Sequence, residues 1–187
     1  MSRRIALLLG ATLLSIGIVG VTCGGDDERT LEEFFHQADA IDDDFQQRFD
    51  RLSDEHPGRS LPGDERVQPY KAYLGAFTVL FAEFLDELET LNPPSEAEDV
   101  FEDLLVTGRE DVDSFREFGD RLEGIESLAE LYDFFDEGMA EATTNAPPYL
   151  IACESFQELA DANGIVVSFD CGIFRRAEPR PSSGRTP

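Results

Sequence analysis

From Val67 to Leu91 an apolar residue recurs at every third or fourth position without a miss: Val67, Tyr70, Leu74, Phe77, Phe81, Phe84, Leu88 and Leu91. Alternating steps of three and four keep side chains on one stripe of an α-helix, so this segment must be helical and must bury that stripe. Asn92-Pro93-Pro94 stops it, because a residue before proline avoids helical angles.

The same pattern repeats on either side. Thr30-Leu31-Glu32-Glu33 is a capping box, in which Thr30 accepts an orphan amide and Glu33 reaches back. Apolar residues follow at Leu31, Phe34, Ala38, Ile41, Phe45, Phe49 and Leu52, and His56-Pro57-Gly58 closes that helix. Ser95–Glu98 is a second box, opening a stripe of Ala97, Phe101, Leu104, Gly108, Val112, Phe115, Phe118 and Leu122. Gly108 and Gly119 either weaken this helix or admit a close neighbour. Ser127–Glu130 is a third box, with Leu128, Leu131, Tyr132, Phe135 and Met139 turned inward. A fifth helix carries Ile151, Cys153, Phe156 and Leu159, and Asn163-Gly164 supplies a left-handed stop. Ile165-Val166-Val167 reads as a short extended segment. Narrow stripes joined by short turns predict an all-α fold: an antiparallel bundle of four to five helices with a short extended C-terminal segment.

Composition sets the terms of that bundle. The 187 residues hold 15 Phe, no Trp, 40 acidic side chains and 15 basic ones, a net charge of −25. The rings supply a core large enough to outweigh disorder. The charge excludes a nucleic-acid partner, since no basic face is offered to phosphate, and argues against side-chain docking on anionic lipid. Phe34-Phe35 and Phe134-Phe135 set two rings on adjacent helical positions, so one of each pair falls at the core's edge. That edge is either a wide apolar face or a groove for an apolar ligand or partner helix. Phe81–Glu89 and Phe115–Glu123 share a pattern that fits a duplicated helix, or simply two acidic amphipathic helices.

Met1-Ser2-Arg3-Arg4 is a short basic start, followed by eighteen uncharged residues to Thr22, then Cys23 and Gly24-Gly25-Asp26-Asp27-Glu28. A basic start, an apolar run and a break describe an export signal. Eighteen residues can also just span a bilayer, so an uncleaved anchor remains open. The segment Gly20-Val21-Thr22-Cys23 resembles the lipobox of bacterial lipoproteins, although that family favours Leu where Gly20 stands and Gly or Ala where Thr22 stands. The resemblance covers about 23 residues and implies cleavage before Cys23 and acylation of its thiol. Beyond it the chain is similar in style to uncharacterised, acidic, helical lipoproteins of bacteria. That similarity implies an extracytoplasmic domain tethered to the cell membrane; the alternatives are an N-terminal membrane anchor or a secreted form.

If Cys23 takes lipid, Cys153 and Cys171 remain as an even pair, which in an oxidising compartment would form one disulfide. Seventeen residues lie between them, and the bridge would be worth ~3 kcal/mol in the chain-entropy account. Two free buried thiols are the alternative. The domain plan is then a signal peptide at 1–22, a tether at 23–29, an acidic helical bundle at 30–172 and a disordered tail at 173–187 rich in Arg, Pro and Ser. Without residues 1–22 the chain keeps 40 acids against 13 bases.

Chemistry is sparse. Glu33 and His36 have the Glu-x-x-His spacing of di-iron bundles, but the second pair such a site needs is missing. Asp42-Asp43-Asp44 and Asp111-Val112-Asp113 could offer oxygens to a divalent cation, yet neighbouring helical carboxylates point apart and read as a solvated acidic face. With one Lys and two His there is no evident nucleophile–base pair, and forty carboxylates single out no acid–base pair. No catalytic residue, metal site or cofactor is expected. The leading expectation is a non-enzymatic interaction or binding domain. It would meet the membrane through its lipid, and envelope proteins or weakly held divalent cations through its surface. A cation- or apolar-ligand-binding protein is the alternative, and a carboxylate-based hydrolase the second alternative.

Overall fold

A computed structural model describes residues 30–56, 63–142 and 148–171, with the backbone alone at 136–142. The expected signal, tether and tail, Cys23 among them, and the Met139 side chain lie outside the described residues. The described residues form five α-helices: α1 Leu31–Glu55, α2 Val67–Glu89, α3 Glu98–Leu122, α4 Leu128–Ala142 and α5 Pro148–Ala162. A 3-10 turn at Gly63–Arg66 leads straight into α2. Among the described residues there is no strand, and the segment after α5, Ile165 to Asp170, has no regular secondary structure and ends in a tight turn, where the Cys171 N–H donates to the Phe169 carbonyl at 2.9 Å. The all-α expectation is met.

Ring contacts give the direction of each helix. Phe45 of α1 meets Phe84 of α2 at 4.6 Å, and Phe49 meets Phe77 at 5.6 Å, so the two run antiparallel. Phe77 of α2 meets Phe115 of α3 at 5.4 Å, while Leu85 faces Gly108. Phe101 of α3 meets Phe156 of α5 at 5.9 Å, with Tyr149 near Gly108. Phe156 also closes on Phe34 and Phe35 of α1, at 5.9 and 4.7 Å. Thus α1, α2, α3 and α5 form an up-down-up-down ring around one core, the topology short loops favour. Helix α4 leaves that ring and caps one end, where Phe135 meets Tyr70 and Phe134 meets Phe118 over Val67, Leu122, Ile125 and Leu131.

Two of the three capping boxes form. Thr30 and Glu33 exchange bonds at 3.2 Å, and the Glu130 carboxylate accepts the Ser127 N–H at 3.0 Å while Ser127 Oγ accepts that of Glu130. The Glu126 amide first, then the Ser127 amide and hydroxyl, hold the Glu130 carboxyl below its ordinary range. The box at Ser95–Glu98 does not form. Ala97 closes a turn onto the Pro94 carbonyl at 2.9 Å and is fully buried as the N-cap, which leaves Ser95 bonded to Glu96 instead. Burial of an apolar residue overrode the polar cap.

Two inward assignments and one edge assignment also change. Tyr132 and Ile151 are both 53% exposed. Helix α4 lies across the bundle end, so Leu131 alone of that pair is covered. In α5 the helical period through Cys153 and Phe156 runs to Tyr149 and Ala160 and leaves Ile151 outside. Phe34 and Phe35 are both fully buried, contrary to the edge position expected for one of them. The chain after α5 folds back and lays Phe169 against Phe35 and Phe156.

Gly108 and Gly119 part company. A Cβ on Gly108 would sit 2.7 Å from Leu85 Cδ2 and 3.3 Å from Tyr149, whereas one on Gly119 would meet nothing within 4 Å. Leu85 is fully buried and cannot swing away. Gly108→Ala is therefore expected to lower stability by ~1–2 kcal/mol, overpacking outweighing the helix gain. Gly119→Ala should raise it by ~0.5–1 kcal/mol. Thermal unfolding of the two variants checks the opposite signs.

Candidate functional site

The Cys153 and Cys171 sulfurs lie at disulfide-bonding distance, 1.96 Å, with Cα atoms 5.7 Å apart. The pair ties the segment after Gly164 to α5. Gly164 has φ +69°, and the Ile165 N–H returns to the Ala160 carbonyl at 3.0 Å, so the left-handed stop turns the chain back. A strap, residues 165–171, then crosses from α5 to α1. Its backbone is gripped by side chains: Ser168 N–H donates to Asp39 at 2.9 Å, Asp170 N–H to Asp42 Oδ2 at 3.1 Å, and Phe169 N–H to Gln157 Oε1 at 3.0 Å. Gln157 Nε2 donates in turn to the Val167 carbonyl at 3.2 Å.

Under the strap sits a buried acid cluster. Asp42 is 6% exposed, and burial pushes its carboxyl up to about 6. The Asp170 amide and Gln46 hold it down against that push, while the Asp170 and Asp39 charges add to it. Asp111 of α3 is likewise raised to about 6, by burial first and by the Glu110 charge second. Tyr149 of α5 feels both carboxylates, and burial raises its phenol far above the ordinary range. Two carboxyls, buried Asp42 on α1 and half-buried Asp111 on α3, are thus raised to about 6, and both act on the Tyr149 phenol of α5.

The other candidate is a groove of about 750 Å³ between α2 and α3. Gly75 and Gly119 help to line it, and a Cβ on either would meet nothing within 4 Å, so the missing side chains leave it open. Leu74, Thr78, Phe115 and Leu122 give it an apolar lining; Lys71, Arg116, Asp120 and Glu123 give it a charged one. Lys71, the chain's one lysine, donates to the Glu123 carbonyl at 2.9 Å. Two cations against two acids leave this groove balanced in a strongly anionic protein. Such a lining suits an apolar body with a polar end.

The residues singled out by sequence are dispersed. Glu33 is spent on its capping box, and His36 lies 3.9 Å from Glu32. Asp43 and Asp44 are exposed, as a solvated face requires, but Asp42 beside them is buried. Asp113 is bonded to Arg116 at 2.8 Å while Asp111 turns inward. Among the described residues no three His, Cys, Asp or Glu side chains gather where they could hold a metal ion. Tyr149 and Gln157 were missed; the helical period through Cys153 points to both faces they occupy. Comparison with known proteins gives no match, whether to a protein-family model, to a curated protein or to a solved structure.

Because folding raises the Asp42 and Asp111 pKa values from 3.8 to about 6, the folded state binds more protons than the unfolded one across that interval. Their contribution favours folding below about pH 4 and is lost as pH climbs to 6 and beyond. For Asp42 the loss is up to ~3 kcal/mol, and less for the partly exposed Asp111. Asp111→Asn should therefore raise Tm at pH 7.5 and narrow the gap between pH 4.5 and 7.5. Thermal unfolding of both proteins at the two pH values measures this.

Proposed function

We propose that the protein is a lipid-tethered, extracytoplasmic domain that binds or engages partners and carries no catalysis of its own. The observation that carries the reading is the Cys153–Cys171 pair. It leaves Cys23 as the one cysteine without an intramolecular partner in this scheme, at the end of the uncharged run. A disulfide also belongs to an oxidising compartment. Among the described residues no helix is long and apolar enough to cross a membrane. Acylation with two or more chains would make that attachment stable.

The α2–α3 groove supports binding of an apolar ligand as the second reading. The hydrolase reading has less behind it. Asp42, Asp111 and Tyr149 line neither that groove nor the shallower one between Arg48 and Glu83, so a substrate lodged in either would not meet them. A thermal-shift screen with apolar metabolites and a calorimetric Ca²⁺ titration address the ligand readings; a shift that Gly75→Leu removes would locate the ligand in the groove.

Cys23→Ala should move the protein from the membrane pellet to the soluble fraction. Intact mass of the native protein should show a chain starting at Cys23, plus acyl chains, less two hydrogen atoms for the disulfide. A Cys23→Ala protein that still pellets would instead establish an uncleaved N-terminal anchor.

A further inference from the structure

The strap over α1 and α5 is held at both ends, by the turn at Gly164 and by Cys171, and between them it rests on carboxylates. Its inner anchor, Asp42, has two neighbourhoods at once. Toward the strap it accepts the Asp170 N–H; toward the core it faces Tyr149 of α5 and shares that phenol with Asp111 of α3. We propose that the strap is a proton-controlled cover, in which Asp42 couples docking of residues 165–170 to proton uptake by the cluster beneath it.

The direction follows from solvation. With the strap docked, Asp42 is shut away from water beside the Asp39 and Asp170 carboxylates. The charges that act on it are acidic, Asp39 from its own helix and Asp170 from the strap, and its own charge reaches Tyr149 in the core. Lifting residues 168–170 returns water to the carboxylate and removes the Asp170 charge, both of which lower its affinity for a proton, and breaks the Asp170 amide bond, which raises it; burial is the largest of these influences, so the affinity falls back toward 3.8. Opening therefore releases a proton. Acid holds the strap down, and pH above about 6 loosens it. Opening uncovers Phe35 and Phe156, both fully buried when Phe169 is seated. Uncovered, they would form an aromatic seat between two helices, flanked by Asp39 and Gln157, which already bond strap backbone.

Native-state hydrogen exchange on the full chain, with the disulfide intact, tests this. After correction for intrinsic rates, protection of the Ser168, Phe169 and Asp170 amides should fall between pH 4.5 and 7.5. The ceiling is about a hundredfold, the two-unit pKa change written as an equilibrium ratio. Amides of α2 such as Phe81 should stay better protected throughout, marking the opening as local. Asp42→Asn keeps an acceptor for the Asp170 amide and should make strap protection independent of pH. Asp39→Asn removes a charge from the outer anchor and should keep most of the dependence. Strap protection that is flat with pH, that matches the α2 amides, or that responds to pH equally in Asp42→Asn would overturn the proposal.

Discussion

Contact between phenylalanine rings holds this molecule together. Phe34, Phe35, Phe101 and Phe156 form one knot, and Phe45, Phe84, Phe81, Phe77 and Phe115 continue it along the bundle. Each buried ring contributes roughly 1.5–3 kcal/mol by leaving water, and each good ring pair ~0.5–1.5 kcal/mol more. Something this apolar is required because the outer faces repel. Two arginines soften that repulsion at the helix seams. Arg48 of α1 reaches Glu83 and Glu87 of α2, and Arg109 of α3 reaches Asp86 and Glu89 of α2, at 2.6 and 2.8 Å. Exposed pairs are worth ~0.2–1 kcal/mol each, so they trim the repulsion while the rings decide the fold.

That division explains what the sequence made legible. Helical period reads burial directly, so α1, α2 and α3 and most of their inward residues were plain from spacing. The Thr30 and Ser127 boxes were plain too, because their chemistry is local. Ser95 shows where local chemistry loses: it has the right partner three residues on, but the ring-packed core claims Ala97 first and sets the helix start around it. Phe35 and Asp42 could not be read, because what covers them is a segment more than 125 residues further along the chain. On an isolated α1 both would be half in water, as the sequence suggests.

The same covering contact turns a surface carboxylate into a buried one, and that is the unusual point of the design. A buried carboxylate normally finds an arginine or lysine. Asp42 accepts a neutral donor, the Asp170 backbone amide, and sits among other acids. Replacing it with an apolar residue would forfeit the strap's anchor; keeping it charged works against burial. A group in that position ties the anchoring of the strap to its own protonation state.

Charge and tether also constrain each other in the proposed lipoprotein. Seven residues separate Cys23 from α1, an extended reach of at most ~25 Å. A bundle this anionic is repelled by anionic headgroups within a screening length of ~8–10 Å. The reach exceeds that length, so the domain can stand off the bilayer with its lipid inserted. On that proposal, acidity that works against side-chain docking on the membrane leaves the lipid to hold the domain there.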